Sequence, residues 1–291
     1  MKNWFKGIAV GILALGLVAC SAPAEPAKDP ETGKKVEVQN KSTMTAQQVY
    51  DKSVEASVAQ KSMHAKMNVD QLLELPAQDF TMNSKIKMDM DMIMDPLAMY
   101  QKMDVDMGEQ GATAMEIYMT EEGFFMNEPE SGQWMKLPGE MYEDLLSQVG
   151  SADPTLDMNL FKDFVEDFTF EQTDDEYILK LVASGEKFSK LFKEIAMDNL
   201  PAGIEADADA TELMESVNVN SLEYEIFIDK KSFYTNAFNM QMDMTMQVDG
   251  EEMRIDQKVN AKLSKVNEIE KIDIPQDVLD SAIDINEAMG Q

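Results

Sequence analysis

The sequence predicts an α+β fold built on one large antiparallel sheet, with one buried apolar face and one solvent-exposed polar face. Long segments largely alternate between apolar and polar residues, as over 80–94, and a period of two is typical of strands with one buried side. One stretch near residue 45 has the spacing of an amphipathic helix instead. The 44% hydrophobic content of this 291-residue chain is enough to form a core.

The first predicted elements are one helix and a block of strands. Thr45 and Gln48 have the spacing of a capping box, and the helix is expected over 45–60. From residue 63 to residue 137 the period changes to two, with turn signals such as Asp95-Pro96 between the strand segments. This block is expected to form consecutive antiparallel strands.

The second half of the chain has a similar organisation. Helical spacing flanks a predicted hairpin over 168–182, and strand alternation returns over 222–263. The segments with helical spacing before and after the hairpin are 138–149, 158–165 and 188–195. A helical tail is expected over 275–289.

The first twenty residues have the features of a secretion signal that ends at a lipid-attachment site. Lys2 and Lys6 precede an apolar run over 8–18, which is shorter than the roughly 20 residues that span a bilayer. The run ends in Leu17-Val18-Ala19-Cys20, which resembles the lipobox of bacterial lipoproteins, and Cys20 is the single cysteine of the chain. The alternative is an ordinary signal peptide whose cleavage site happens to contain cysteine.

The lipobox resemblance implies three regions and a location. Residues 1–19 are expected to be a lipoprotein signal peptide, and Cys20 is the expected lipidation site. A diacylglyceryl anchor on Cys20 would hold the chain at the extracytoplasmic face of the cell membrane. Residues 20–42 are rich in Pro, Lys, Glu and small residues and are expected to form a disordered tether. Residues 43–291 are expected to form the folded domain.

Composition also argues against several classes of function. One cysteine and one histidine exclude a disulfide framework, the usual zinc, haem and iron–sulfur ligand sets, and catalytic groups that need a second such residue. A net charge of −30 argues against a nucleic-acid partner, because phosphate binding needs a basic surface. We therefore expect no enzyme activity, no cofactor and no metal. His64 is expected at the exposed, polar side of its strand.

Two short motifs resemble a known group of proteins. They are Leu222-Glu223-Tyr224-Glu225-Ile226-Phe227-Ile228-Asp229-Lys230-Lys231-Ser232-Phe233 and the closing Ile272-Asp273-Ile274-Pro275. Both are similar to motifs of an uncharacterised family of Gram-positive lipoproteins with the LolA/LolB and LppX type of fold. The resemblance implies a single strongly curved antiparallel sheet of about 10–11 strands, an open half-barrel with helices packed on its concave face. Such a fold can enclose an acyl chain or lipid, and no catalytic residues come with it.

The 26 methionines, many of them on one face of the predicted strands, have several interpretations. They could fill a core, because methionine is flexible and adapts to irregular space. They could line a deformable groove for an amphiphile, bind Cu(I) through thioethers without help from His or Cys, or consume oxidants. The groove interpretation selects as its lining Met82, Met88, Met90, Met92, Met242, Met244 and Met246.

Two functional hypotheses follow. The first is a membrane-anchored lipoprotein that binds a lipid or other amphiphile without catalysis. The second, from a different class, is a structural or sensor protein of the cell envelope with a fully packed core, which acts through contact with another protein. The sequence identifies neither the ligand nor a protein partner.

Overall fold

The structure is a computed structural model that describes residues 22–129, 131–139, 141–142, 164–165, 167–185, 188–190, 193, 216–248 and 250–288. These residues form one sheet of thirteen strands. The strands are β1 (Glu25–Pro26), β2 (Ser62–Leu75), β3 (Phe80–Met94), β4 (Leu97–Asp106), β5 (Ala112–Thr120), β6 (Gly123–Asn127), β7 (Trp134–Lys136), β8 (Thr169–Gln172), β9 (Glu176–Ala183), β10 (Asn218–Asp229), β11 (Thr235–Val248), β12 (Glu251–Ser264) and β13 (Ile283–Asp284). The α-helices whose bounds lie within the described residues are α1 (Ala46–Val58), α2 (Gln276–Ser281) and α3 (Ile285–Ala288).

The strand order joins the two halves of the chain in one sheet. The order is β1-β8-β9-β10-β11-β12-β2-β3-β4-β5-β6-β7-β13. Consecutive strands pair within each half, and β12 pairs antiparallel with β2 to connect the halves. The two blocks of alternation in the sequence therefore share a single sheet.

The expectation of a purely antiparallel sheet is wrong at both edges. β1 pairs parallel with β8, and β13 pairs parallel with β7, so the sheet is mixed. Both edge strands are two-residue segments, and the expectation of about 10–11 strands missed them because such short segments have no measurable period. A short strand containing proline at an edge limits further edge-to-edge pairing.

Cross-strand pairing places the apolar residues of successive strands on one face, which we call the apolar face. Its residues include Tyr224 in β10, Met240 in β11, Val259 in β12, Val69 in β2 and Ile86 in β3, which oppose one another in sequence. From β9 to β7, apart from Glu251 at the first position of β12, no paired position on this face carries Asp, Glu, Lys or Arg. The chain has 55 acidic and 25 basic residues, so this exclusion of charge is pronounced.

The N-terminal helix α1 covers one end of the apolar face. Thr45 and Gln48 form the expected capping box, with Thr45 accepting from the Gln48 amide at 3.3 Å and Gln48 from the Thr45 amide at 3.0 Å. Val49 and Tyr50 of α1 are fully buried in the main hydrophobic core with the apolar residues of β8, β9 and β10. The predicted helix and the predicted hairpin, β8 and β9, are confirmed.

The segment 22–42 differs from the expected disordered tether. Ala24, Ala27 and Val38 are buried, and the Gln172 side chain donates a hydrogen bond to the Ala24 carbonyl at 2.6 Å. The Asp174 carboxylate accepts the amides of residues 39 and 40 at 2.6 and 3.1 Å. Small and polar residues predict disorder by composition, but here they lie along the β8–β9 hairpin, which supplies hydrogen bonds for their backbone.

The C-terminal tail is also not the continuous helix expected over 275–289. It consists of α2, the edge strand β13 and α3, because Ala282 is extended (ψ 131°) and ends α2. Ile274 and Val278 pack on Phe125 in a small core. Since Phe125 pairs with Tyr118 rather than with a residue of the apolar face, this core lies on the opposite side of the sheet.

Most of the expected middle helices, 138–149, 158–165 and 188–195, lie outside the described residues. Among the helices that the structure describes, none has the length and hydropathy needed to cross a membrane.

Candidate functional site

All seven methionines of the predicted groove lie on the apolar face. Met82, Met88, Met90 and Met92 belong to β3, and the other three, Met242, Met244 and Met246, belong to β11. Strands β12 and β2 separate β3 from β11 in the sheet. The alternating pattern therefore places these residues on a common face, as the sequence suggests.

The seven methionines do not converge on one compact pocket. Met90 and Met92 pack with Met63 and Ala65 in one cluster. Met242 and Met244 pack with Ile255 in another, with Met246 against it. Met82 is close to the second cluster, because it opposes Leu73, which opposes Ile255. Ten residues separate Met82 from Met92, a span of about 33 Å along β3.

The burial of these side chains also differs along the face. Met90, Met92, Met242 and Met244 are between 4% and 8% exposed, which is the burial of ordinary core residues. Met82, Met88 and Met246 are half-buried. Each end of the face therefore contains a small packed cluster, and the half-buried methionines lie between and beside these clusters.

Near the middle of the apolar face, a band of two cross-strand rows is incompletely covered over almost its whole width, and we call this band the middle rows. One row runs from Met240 through Val259, Val69 and Ile86 to Val105. In this row all but Val259 are half-buried. The second row consists of Phe238, Ala261, Met67, Met88, Met103 and Met115, of which all but Ala261 are half-buried. The middle rows are the best candidate on the described sheet for contact with an apolar ligand.

A polar row that the sequence reasoning missed crosses the same face. Gln257 in β12 opposes Gln71 in β2, and Gln71 opposes Ser84 in β3. Met242 extends this row into β11. In the sequence, each of these three polar residues stands at a strand position where the alternation predicts an apolar residue. Only the strand register shows that the three positions lie side by side. The row lies beside the middle rows.

The opposite face of β2 and β3 carries basic side chains of β2 beside acidic side chains of β3. The Lys66 ammonium lies 3.1 Å from the Asp89 carboxylate, and His64 Nδ1 lies 2.7 Å from Asp91 Oδ1. His64 is 8% exposed, so the expectation that it is a surface residue is wrong. It lies on the polar side of its strand as expected, but it packs beside Asp89 and Asp91 of β3, next to the site where the segment 267–269 hydrogen-bonds to Ser62.

On this opposite face, the strands β4, β5 and β7 carry a cluster of aromatic side chains. The Tyr100 and Tyr118 rings are 4.7 Å apart, and the Tyr118 and Trp134 rings are 5.7 Å apart. Burial and the nearby Glu116 carboxylate, which accepts the Tyr100 hydroxyl at 3.3 Å, raise the pKa of Tyr100 to about 12. Tyr118 and Trp134 pack against the α2 core. This cluster attaches the C-terminal tail to the sheet.

Two clefts lined by described residues lie away from the methionines. One, of about 290 Å³, lies between the N-terminal segment and β8, beside Pro23, Glu25 and Phe170. The other, of about 200 Å³, lies between the β3–β4 turn and the segment around Lys271. None of the seven predicted groove residues lines either cleft.

The chain is similar to several solved structures at low sequence identity. One is LprF from Mycobacterium bovis, with 11% identity, a TM-score of 0.40, and coverage of 79% of this chain and 95% of that chain. A second is the lipoprotein LppX from Mycobacterium tuberculosis, with 12% identity, a TM-score of 0.37, and coverage of 78% and 98%. A third is a LolA superfamily protein from Nitrosomonas europaea, with 14% identity, a TM-score of 0.20, and coverage of 81% and 97%.

No curated protein matches the sequence. A family model does match, and it covers residues 45–283, from the cap of α1 to the start of β13. The matched region thus includes both halves of the sheet and the whole apolar face. The chain belongs to this family, DUF6612, whose function is unknown.

Proposed function

We propose that this protein is a lipoprotein of the cell envelope, anchored to the membrane through Cys20, that binds a lipid or other amphiphile on its apolar face without catalysis. The proposal includes an open half-barrel curvature of the sheet, with helices on the concave side, and a groove lined by the seven methionines. The observation that carries it is the pair of middle rows, which are apolar, free of charge and, apart from Val259 and Ala261, only half-buried.

The physical reason is the free energy of apolar burial. Covering apolar surface is favourable by about 25 cal/mol for each Å² removed from water, and the middle rows offer such surface across six strands. Methionine side chains adapt their shape to a flexible ligand at little cost. Apolar faces with a few polar groups are typical of small-molecule sites. An acyl chain fits this chemistry, because it presents apolar surface and no charge.

The anchor and the fold give the proposed orientation. Ala22 is the first described residue and lies two positions after Cys20, a reach of about 7 Å. Ala24 is buried and β1 pairs with β8, so an anchored chain would hold the β8 edge of the sheet near the membrane. The β13 edge would then lie away from the anchor, since β13 ends the strand order on the other side.

One observation favours the alternative, an envelope protein with a packed core that acts through protein contact. Met90, Met92, Met242 and Met244 are buried as completely as core residues elsewhere in the chain. If such packing extended over the whole face, the methionines would serve stability alone. The half-buried middle rows are the feature that this alternative does not explain.

The test is lipid analysis of the purified full chain. The protein is expressed in bacteria, extracted from membranes in mild detergent, and subjected to native mass spectrometry and to organic extraction followed by lipid mass spectrometry. The expected result is about one extractable amphiphile per chain, in addition to the covalent lipid on Cys20. A chain that carries no extractable amphiphile and fails to bind a fluorescent fatty acid would favour the packed-core alternative.

A further inference from the structure

The polar row of Gln257, Gln71 and Ser84 interrupts the apolar surface around it. Its neighbours along β12 are Ile255 and Val259, and its neighbours along β2 are Val69 and Leu73, all with side chains on the same face. Adjacent strands are about 4.8 Å apart, so the three side chains span about 10 Å across the sheet. Polar groups thus form a short line at right angles to the strands, with apolar rows on both sides.

The three side chains form no hydrogen bond within the part of the chain that the structure describes. Ser84 is 8% exposed, and the two glutamines are half-buried. None of their polar atoms is both fully buried and unpartnered, so water can reach them, and a ligand that covers the row must replace those hydrogen bonds to avoid leaving a buried group unsatisfied. Leucine would suit the two glutamine positions better if they served stability alone.

We propose that this row binds the uncharged polar linkage of the amphiphile, an ester or amide group with apolar segments on both sides. The inference rests on the proposed function, and it adds the chemical class of the ligand. A carboxamide both donates and accepts hydrogen bonds, and a serine hydroxyl does the same. The row can therefore satisfy both the carbonyl oxygen of an ester and the hydroxyl or N–H beside it.

The charge distribution selects an uncharged linkage. No paired position on the apolar face from β9 to β7 carries Lys or Arg, so a phosphate or carboxylate beside the row would find no cation on these strands. The net charge of −30 adds a general repulsion of anions. The middle rows beside Ser84 cross the sheet from β11 to β5, five inter-strand spacings or about 24 Å, which accommodates an extended acyl chain.

The experiment is photo-crosslinking of the full chain in phosphatidylcholine vesicles that contain one of three dilute diazirine probes. All three probes contain the same diazirine-bearing chain. The first probe is a plain hydrocarbon, the second is a diacylglycerol and the third is a phosphatidic acid. The test variant is Gln71→Leu/Gln257→Leu. The matched control is Gln101→Leu, which removes a half-buried glutamine of the same face outside the row. Intact mass spectrometry measures the labelled fraction.

The wild type is expected to be labelled by the diacylglycerol probe about tenfold more than by the hydrocarbon, since one well-made hydrogen bond changes affinity by about that factor. The Gln71→Leu/Gln257→Leu variant is expected to lose this preference and to keep its labelling by the hydrocarbon. Urea unfolding should show the variant to be at least as stable as the wild type, because each leucine replaces a half-buried amide. Gln101→Leu should behave as the wild type.

Other outcomes separate this inference from the proposed function. Unchanged diacylglycerol labelling of Gln71→Leu/Gln257→Leu would overturn the role of the row while leaving the apolar groove intact. Equal labelling of the wild type by phosphatidic acid and diacylglycerol would overturn the assignment of an uncharged linkage. A wild type that none of the probes labels would overturn the proposed function itself.

Discussion

Lys230 shows how one side chain connects separate segments of this protein. Its ammonium donates hydrogen bonds to the Asn40 carbonyl at 2.7 Å, the Gln172 side-chain oxygen at 2.8 Å and the Thr173 carbonyl at 2.6 Å. Burial lowers the pKa of Lys230, although the nearby Asp174 and Asp175 oppose the shift. All three hydrogens of the ammonium are therefore used between the N-terminal segment and the β8–β9 hairpin.

Replacement of Lys230 by methionine should lower the free energy of unfolding by about 1–3 kcal/mol, because it leaves partly buried oxygen atoms without a donor. Urea denaturation followed by circular dichroism measures the change. Lys231→Met is the matched control, since the Lys231 side chain is exposed in the same turn. Equal stability of the two variants would contradict the role assigned to Lys230.

Tyr100 gives a prediction about alkaline pH. Its pKa is raised from 10 to about 12, mainly by burial and then by Glu116, so the folded chain keeps the proton over a range in which the unfolded chain loses it. This contribution to stability is present below pH 10 and is lost as the pH rises through about 12. Tyr100→Phe should therefore lose less stability than the wild type between these values, as measured by urea unfolding. If the free energy of unfolding fell equally steeply with pH in both proteins, the assignment of the raised pKa to Tyr100 would be contradicted.

At the scale of elements, local periodicity explains what the sequence could predict. The alternation in β3 and β11 predicts both the strand and the face on which Met88 and Met244 lie, because side-chain direction follows the backbone period. The capping box predicts the start of α1 for a similar local reason. These features need no knowledge of distant segments.

Features that depend on pairing between distant segments could not be predicted. Gln71 and Gln257 are far apart in sequence, and only the β2–β12 register places them side by side. The parallel edge strands β1 and β13 have two residues each and pair with strands remote in sequence. The polar appearance of residues 22–42 predicts disorder, because composition does not reveal that the β8–β9 hairpin offers partners for that backbone.

The position of β1 yields a prediction about orientation at the membrane. The lipidated full chain is placed in vesicles that contain a lipid-bound paramagnetic relaxer. The electron paramagnetic resonance lines of a spin label on Thr169→Cys, at the exposed start of β8, should be broadened by this relaxer. A label on Ser281→Cys, an exposed site near the β13 edge, is the control and should be affected much less. Equal effects at the two sites would contradict the proposed orientation.

At the scale of the whole molecule, the sheet separates charge from apolar surface. The chain carries 55 acidic and 25 basic residues, yet the apolar face from β9 to β7 has none beyond Glu251, whose carboxylate accepts a hydrogen bond from Gln78 at the edge of the face. The solvent-exposed face of β2 and β3 carries the Lys66–Asp89 ion pair instead. A packed core requires that separation, but a core alone would not leave the middle rows half-buried.

Retention of lipid by two charge variants of β3 tests the central proposal most directly. Met88→Glu places a carboxylate in the middle rows, and Asn83→Glu adds the same charge at an exposed position on the opposite face of the same strand. A half-buried carboxylate can still reach water, so we expect both variants to fold, which circular dichroism checks.

The account predicts that full-chain Asn83→Glu retains as much extractable lipid per chain as the wild type. Met88→Glu should retain at most about a tenth as much, because a charge in contact with an acyl chain costs more than 1.4 kcal/mol, the equivalent of a factor of ten. Lipid mass spectrometry of the purified proteins gives the ratio. Equal retention by folded Met88→Glu and Asn83→Glu would contradict the claim that the ligand lies on the apolar face.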